Sequence, residues 1–181
     1  MPRKCLSALF AALVLGTQPD AAPAEEIERL TLPDVPVTDA RYHTEGFVSR
    51  FHRKGTVIVS FAFTECTTLC PMTNAILTPM DDRILAEDLP ITLVTVSIDP
   101  VSDTPEKLAA TAADDGASAD WVWLTAAPME TFLLLDSLGL PPGPIESHDP
   151  MLLIGDVRTG AFQRIIGLPE PERLIELALG F

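Results

Sequence analysis

Two cysteines closely follow an apolar run in this chain, within the sequence VIVSFAFTECTTLCPM that extends from Val57 to Met72. The run from Val57 to Phe63 predicts a buried strand, and Pro71 is a residue type favoured at the first position of a helix. Cys66 and Cys70 are therefore expected at a strand-to-helix turn. Unpaired N–H groups and the positive end of the helix dipole favour a thiolate over a thiol there. Two such thiolates can bind a soft metal ion or form a disulfide.

A purely structural disulfide is the alternative interpretation of this pair, because exported proteins enter an oxidising compartment. A structural bridge gains stability by closing a long loop, whereas this loop contains only Thr67, Thr68 and Leu69. The short loop favours a functional pair.

The N-terminus has the features of a secretory signal peptide over residues 1–24. Arg3 and Lys4 form a basic start, Cys5–Gly16 an apolar core, and Ala22–Ala24 a small-residue cleavage site. The apolar core is shorter than the roughly 20 residues that span a bilayer. We therefore expect cleavage, an exported domain of residues 25–181 and a periplasmic location. A retained N-terminal membrane anchor is the alternative.

The chain is strongly acidic, with 26 acidic and 12 basic residues and a net charge of −14 at pH 7. Such a charge argues against nucleic acid and anionic membrane surfaces as partners, and it favours cations or basic proteins. Solubility alone would also explain it.

Strands and helices alternate along the rest of the chain. The predicted elements are edge strands or a hairpin at 31–35 and 47–51, strands at 57–63, 91–98 and 121–124, helices at 72–85, 105–115, 128–138 and 169–179, and a hairpin of 151–155 with 161–166. This order predicts an α/β protein, a thioredoxin-like three-layer sandwich with a central mixed sheet. The dithiol turn occupies the active-site position of that fold.

A histidine joins the predicted site from a distant part of the sequence. His148 follows a proline-rich loop and precedes a strand, and in a thioredoxin-like sheet this segment runs past the dithiol turn. Cys66, Cys70 and His148 would form a three-coordinate set suited to Cu(I), or to Cu(II) with an added oxygen ligand. Zinc would also accept these donors. A loop histidine that caps an element or faces solvent is the alternative.

The other candidate side chains have more ordinary interpretations. His43 and His52 lie far from the cysteines in the sequence and are interpreted as surface or edge residues. Met72 could donate a thioether, although packing within a helix is the favoured interpretation.

Acidic residues surround the predicted site. Asp99 and Asp103 follow the second buried strand, at the same sheet edge as the dithiol if the strands are parallel. They could tune the site, and Asp103 or Thr104 could instead cap the next helix. Glu65 and Asp149 flank the proposed ligands, where they would attract a cation and oppose thiolate formation.

Three motifs together resemble the Sco/SenC family: Phe63–Pro71 with both cysteines, Ser97–Leu108, and the late His148 before a strand. The resemblance extends from Leu32 to Leu179. It implies a thioredoxin-like fold, copper binding by the two cysteines and the histidine, and a role in assembling the binuclear copper centre of cytochrome c oxidase.

Two departures from the family pattern indicate a divergent branch. The cysteine turn has Thr67 and Thr68 where many members have Pro-Asp. In addition, Asp149 and Pro150 resemble the cis-proline segment of thioredoxins, and a cis X-Pro bond is a specific structural device. A cis proline beside the dithiol would support thiol–disulfide exchange.

The sequence therefore favours an exported copper metallochaperone whose partner is the copper-site subunit of cytochrome c oxidase or another cuproprotein. The alternative is a thiol–disulfide oxidoreductase in which Cys66 and Cys70 act on cysteines of the copper-site recipient. A peroxide-consuming relative is a third class, although no arginine lies near the cysteine turn in the sequence.

Overall fold

The structure is a computed structural model that describes residues 26–140 and 150–181. The elements within these two ranges are, in chain order, β1 (Ile27–Arg29), β2 (Pro36–Asp39), β3 (Thr44–Gly46), α1 (Phe47–Phe51), β4 (Thr56–Ala62), α2 (Leu69–Glu87), β5 (Ile91–Ser97), α3 (Pro105–Asp114), β6 (Val122–Thr125), α4 (Pro128–Ser137), β7 (Met151–Asp156), β8 (Ala161–Ile166) and α5 (Pro171–Leu179). No helix in the described residues is both long and apolar enough to cross a membrane.

One mixed sheet contains all of these strands, in the order β1-β8-β7-β4-β5-β6-β2-β3. β4, β5 and β6 are parallel neighbours, whereas β7 pairs with β4 in the antiparallel direction. The last residues of β4 and β5, Ala62 and Ser97, are directly paired. Because parallel strands end at the same edge, the segments that follow β4 and β5 meet there. The predicted central mixed sheet is confirmed.

Helices cover both faces of the sheet. Alternate residues of β4 point to opposite faces, so that Val57, Val59 and Phe61 join one core while Ile58 and Ala62 join the other. α1 and α4 supply the first core, and α2, α3 and α5 supply the second. The predicted three-layer arrangement is therefore confirmed.

The predicted strand at 47–51 is wrong, because these residues form α1. Phe47 and Phe51 are four residues apart, so a helix brings both rings onto one face. Both are buried, and their ring centroids are 5.2 Å apart. Residues 31–35 also lie outside the strands, and β2 and β3 form the N-terminal hairpin instead.

α2 begins earlier than its proline predicts. The helix starts at Leu69, so Pro71 is its third residue rather than its first. Proline is tolerated in the first turn, because the first N–H groups of a helix have no intrahelical acceptor. The earlier start places Cys70 inside the first turn of α2.

A pocket of about 390 Å³ opens at the opposite end of the sheet from the cysteines. Its lining includes Lys54, just before β4, and Ile91, at the start of β5. The cysteines follow the other end of β4, so this pocket is separate from the dithiol.

Candidate dithiol and metal site

The two cysteines lie in the turn between β4 and α2, at the predicted position. They form a disulfide, with their Cα atoms 5.8 Å apart. Cys66 is partly exposed, whereas Cys70 is only 6% exposed. Cys66 is therefore the sulfur that a partner molecule can reach.

A backbone N–H group of α2 points at the outer sulfur. The N–H of Cys70 donates to Sγ of Cys66 over 3.2 Å. This N–H lies at the positive end of the helix dipole and has no intrahelical acceptor. After reduction, the same N–H would stabilise negative charge on Cys66. Cys66 is thus the expected nucleophile in an exchange reaction and the expected exposed ligand of a metal ion.

A buried carboxylate holds the start of the cysteine turn. Asp103 is 3% exposed, and its Oδ1 accepts hydrogen bonds from the backbone N–H of Thr64 over 3.1 Å and from the Thr64 hydroxyl over 2.6 Å. Its Oδ2 accepts from the Ser97 hydroxyl over 2.6 Å. These contacts join the segment after β4 to the end of β5 and the start of α3.

Asp99 and Thr104 complete the loop between β5 and α3. The side chain of Ser102 and the backbone N–H groups of Ser102 and Val101 donate to Asp99, and they lower the pKa of its carboxyl below the ordinary value of 3.8. Asp99 therefore carries its negative charge at neutral pH. Thr104 caps α3 by accepting from the N–H of Lys107, so the alternative in which Asp103 caps this helix is wrong.

The surface charge next to the cysteines is partly compensated. Glu65 lies 3.8 Å from the ammonium group of Lys107, and both side chains are well exposed. Exposed pairs of this kind contribute little to stability. Lys107 nevertheless reduces the negative potential that Glu65 would otherwise produce beside Cys66.

The chain segment that follows His148 enters the sheet at the dithiol edge. Leu152 of β7 pairs with Ser60 of β4 in the antiparallel direction, so the residues before Leu152 run toward the end of β4. Pro150 precedes β7 at this edge, and its carbonyl accepts from the N–H of Gly167 over 2.8 Å. His148 and the Asp149–Pro150 peptide bond lie outside the described residues, so the imidazole ligand and the cis proline remain predictions.

The other two histidines have partners away from the cysteines. Nδ1 of His43 lies 3.0 Å from the Arg50 guanidinium, and Nδ1 of His52 donates to the carbonyl of Ser49 over 2.7 Å. Within residues 26–140 and 150–181, no three His, Cys, Asp or Glu side chains are grouped so that they could hold a metal ion. Met72 is 52% exposed near the start of α2, so its predicted packing role is wrong.

Residues 44–128 match the SCO1/SenC family model. The matched segment contains both cysteines, Asp99 and Asp103. The resemblance to the Sco/SenC family is confirmed. The chain is 36% identical over 74 residues to the SCO1 protein homolog of Bacillus subtilis (strain 168), and this match spans 40% of the chain and 38% of that relative.

Solved Sco structures share the fold over most of the chain. BsSco, a member of the Sco family of cytochrome c oxidase assembly proteins, has a TM-score of 0.73 at 18% identity, covering 88% of this chain and 97% of BsSco. ScoI of Arabidopsis thaliana, solved with copper bound, has a TM-score of 0.67 at 15% identity, covering 81% of this chain and 94% of ScoI. These likenesses confirm the predicted thioredoxin-like sandwich. The low identities show that the sequence of this chain differs widely from these structures although the fold is shared.

Thr64 is the site residue that sequence reasoning missed. It is separated from Asp103 by 39 positions, so no local pattern connects the two. A signal was nevertheless present. Thr104 is itself a good N-cap residue, which leaves the adjacent Asp103 carboxylate free for another partner at the dithiol edge.

Proposed function

We propose that this protein is an exported metallochaperone that holds one copper ion with Cys66, Cys70 and His148. It would pass the ion to a cuproprotein, such as the binuclear copper site of cytochrome c oxidase. The observation that carries the proposal is the partly exposed Cys66 beside the buried Cys70 at the start of α2. The Sco/SenC resemblance and the copper-bound Arabidopsis ScoI support it.

The proposed donor set suits copper as cargo. Two thiolates and an imidazole give a soft three-coordinate site for Cu(I), and an added oxygen ligand would complete a site for Cu(II). The disulfide must first accept two electrons, because only the two sulfurs released by reduction can act as thiolate ligands. Copper loading is therefore expected only for the reduced protein.

Transfer of copper requires no catalytic turnover in this proposal. A ligand of the recipient would displace His148, and the partly exposed Cys66 would release the ion before the buried Cys70 does. The recipient would thus approach the edge of the sheet where β4 and β5 end.

A Cu(I) titration of the reduced protein against a chromophoric chelator tests the metallochaperone. We expect a one-to-one complex that is lost in Cys66→Ser and Cys70→Ser and is weakened at least tenfold in His148→Ala, since each change removes one donor. His43→Ala is the matched control and should bind as tightly as the unchanged protein. The absence of a one-to-one complex, or a complex unaffected by Cys66→Ser, would refute the proposal.

A thiol–disulfide oxidoreductase is the second candidate, and the unequal exposure of the two sulfurs favours it. In the reducing direction, the Cys66 thiolate would attack a sulfur of the recipient's disulfide and release the other sulfur as a thiolate. The Cys70 thiolate would then attack Cys66 in the mixed disulfide, which forms the Cys66–Cys70 bond and leaves the recipient reduced by two electrons.

His148→Ala separates the two candidate functions. Copper retention requires the imidazole, whereas the exchange reaction uses the two sulfurs. If exchange is the function, this variant should reduce a peptide disulfide at close to the normal rate while the unchanged protein retains no copper. Loss of exchange in His148→Ala would count against this candidate.

Export to the periplasm is also part of the proposal. Residues 1–24 would be removed as a signal peptide, and residues 25–181 would form the mature copper-binding domain. Mass spectrometry of the protein from the periplasmic fraction should give an N-terminus at Glu25. An intact N-terminus in the membrane fraction would instead support the retained anchor.

A further inference from the structure

We propose that Asp103 is a positioning residue that acts through Thr64 to hold Cys66 against Cys70, and thereby sets the dithiol–disulfide equilibrium of the site. This inference deepens the proposed function, because the same two sulfurs are the proposed copper ligands. It concerns Asp103 and Thr64, which are not among the proposed copper ligands.

Asp103 is held in place by hydrogen bonds within the loop between β5 and α3, independently of its contact with the cysteine turn. Its Oδ2 accepts from the Ser97 hydroxyl over 2.6 Å, and its backbone N–H donates to the carbonyl of Asp99 over 3.0 Å. The Ser97 hydroxyl oxygen in turn accepts from the N–H of Asp99 over 3.1 Å. The carboxylate is therefore anchored to the end of the central strand β5.

Most of the hydrogen bonds to this buried carboxylate come from the cysteine turn. Burying a carboxylate is unfavourable unless hydrogen bonds compensate for the lost water. Thr104 already caps α3, so the helix does not require Asp103. Two of the three side-chain hydrogen bonds that Asp103 accepts come from Thr64, where they use both the backbone and the hydroxyl. The Asp103 carboxylate thus serves mainly to hold Thr64.

Thr64 controls where Cys66 lies. The preceding residue, Phe63, packs against both cores of the molecule, and its carbonyl accepts from the N–H of Cys66 over 3.1 Å. Thr64 lies inside this turn. Its hydrogen bonds to Asp103 therefore restrict the conformation of the turn in addition to the hydrogen bond between Cys66 and Phe63. Cys70 is held independently by the first turn of α2. The two anchored segments keep the sulfurs close after the disulfide is reduced.

Proximity of the two sulfurs favours the disulfide. A preorganised pair has a higher effective concentration of one sulfur toward the other, so less entropy is lost when the bond forms. Loss of the Thr64–Asp103 contact should therefore shift the equilibrium toward the dithiol.

Equilibration with glutathione measures this equilibrium without copper. The protein dithiol transfers two electrons and two protons to glutathione disulfide, which forms the Cys66–Cys70 bond and releases two molecules of glutathione. We expect Thr64→Val to shift the equilibrium constant about tenfold toward the dithiol, because the loosened cysteine turn lowers the effective concentration of one sulfur toward the other. Thr64→Ser retains the hydroxyl and should restore the normal constant to within about twofold.

Thr78→Val is the matched control, since the Thr78 hydroxyl donates to the carbonyls of Asn74 and Asp115 farther along α2. It should lower the urea midpoint without shifting the glutathione equilibrium. Asp103→Asn replaces the Oδ2 acceptor of Ser97 with an NH2 group and so loosens the anchor of Thr64, and it should shift the equilibrium in the same direction as Thr64→Val does. Should Asp103→Asn fail to fold, the Thr64 variants still decide the question.

The positioning role is overturned if Thr64→Val lies within twofold of the unchanged protein, if Thr64→Ser does not restore the equilibrium, or if Thr78→Val shifts it equally. A protein that binds no Cu(I) but shows the predicted glutathione shifts would refute the metallochaperone and leave the positioning role intact. The converse result, copper binding without the shifts, would refute only the positioning role.

Discussion

Buried aspartates hold several loops in place by accepting hydrogen bonds from loop residues. Asp39 accepts from the N–H of Arg41 over 2.9 Å, and Asp81 accepts from the N–H and hydroxyl of Ser118 over 2.6 and 2.9 Å. Asp103 does the same for the cysteine turn. The acidic composition indicated solubility or attraction of cations. It could not identify these structural carboxylates, because most of their partners are distant in the sequence.

Asp39 provides a test of this role through its pH dependence. Burial raises the pKa of Asp39, but bonds from the His43 N–H, the Arg50 guanidinium and the Arg41 N–H lower it further, so the net pKa lies below the ordinary 3.8. The stabilisation from this carboxylate is therefore complete above about pH 4 and is lost as the pH falls through the folded-state pKa.

Asp39→Asn should accordingly lower the free energy of unfolding at pH 7 by about 1–3 kcal/mol. The deficit should shrink in urea titrations at pH 3, where the unchanged protein is also losing this stabilisation. Asp82→Asn, at an exposed position of α2, is the control and should change stability by less than about 0.5 kcal/mol at either pH. A deficit that is equal at pH 7 and pH 3 would contradict the assigned role of the charge.

At the scale of helices and strands, long sequence patterns predicted the element correctly, whereas short patterns did not. The apolar runs of β4 and β5 placed both strands to within about one residue, because parallel strands buried on both faces are continuously apolar. The five residues of α1 carry too few turns for a helical period to differ from a strand pattern. The start of α2 was missed because Pro71 is compatible with several positions in a first turn.

A substitution at Pro79 tests whether tertiary packing compensates for a residue that is unfavourable inside a helix. It lies inside the helix, where it supplies no N–H to the carbonyl of Ala75. Pro79→Ala should raise the free energy of unfolding by about 1–3 kcal/mol, because the restored hydrogen bond outweighs the added freedom of the unfolded chain. Pro71→Ala is the matched control, and its effect should stay below about 0.5 kcal/mol. Destabilisation by Pro79→Ala in urea titrations would show that the packing of α2 depends on the proline.

At the scale of the whole molecule, topology determines which distant residues meet. The parallel arrangement of β4 and β5 was predictable, and it brings the cysteine turn beside Asp99 and Asp103. The contact between Thr64 and Asp103 was not predicted: the suitability of Thr104 as the N-cap of α3 indicated that Asp103 was free for another partner, but not that this partner is Thr64. The sequence also predicts that His148 completes the site, and the position of Pro150 at the same sheet edge is compatible with this.

X-ray absorption spectroscopy of the reduced, Cu(I)-loaded protein tests the central claim, that the two cysteines and His148 bind one copper ion together. We predict copper surrounded by two sulfur atoms and one imidazole nitrogen. The nitrogen should disappear from the spectrum of His148→Ala and persist in that of His43→Ala. A copper environment without sulfur, or one that is identical in the unchanged protein and in Cys66→Ser, would contradict the claim.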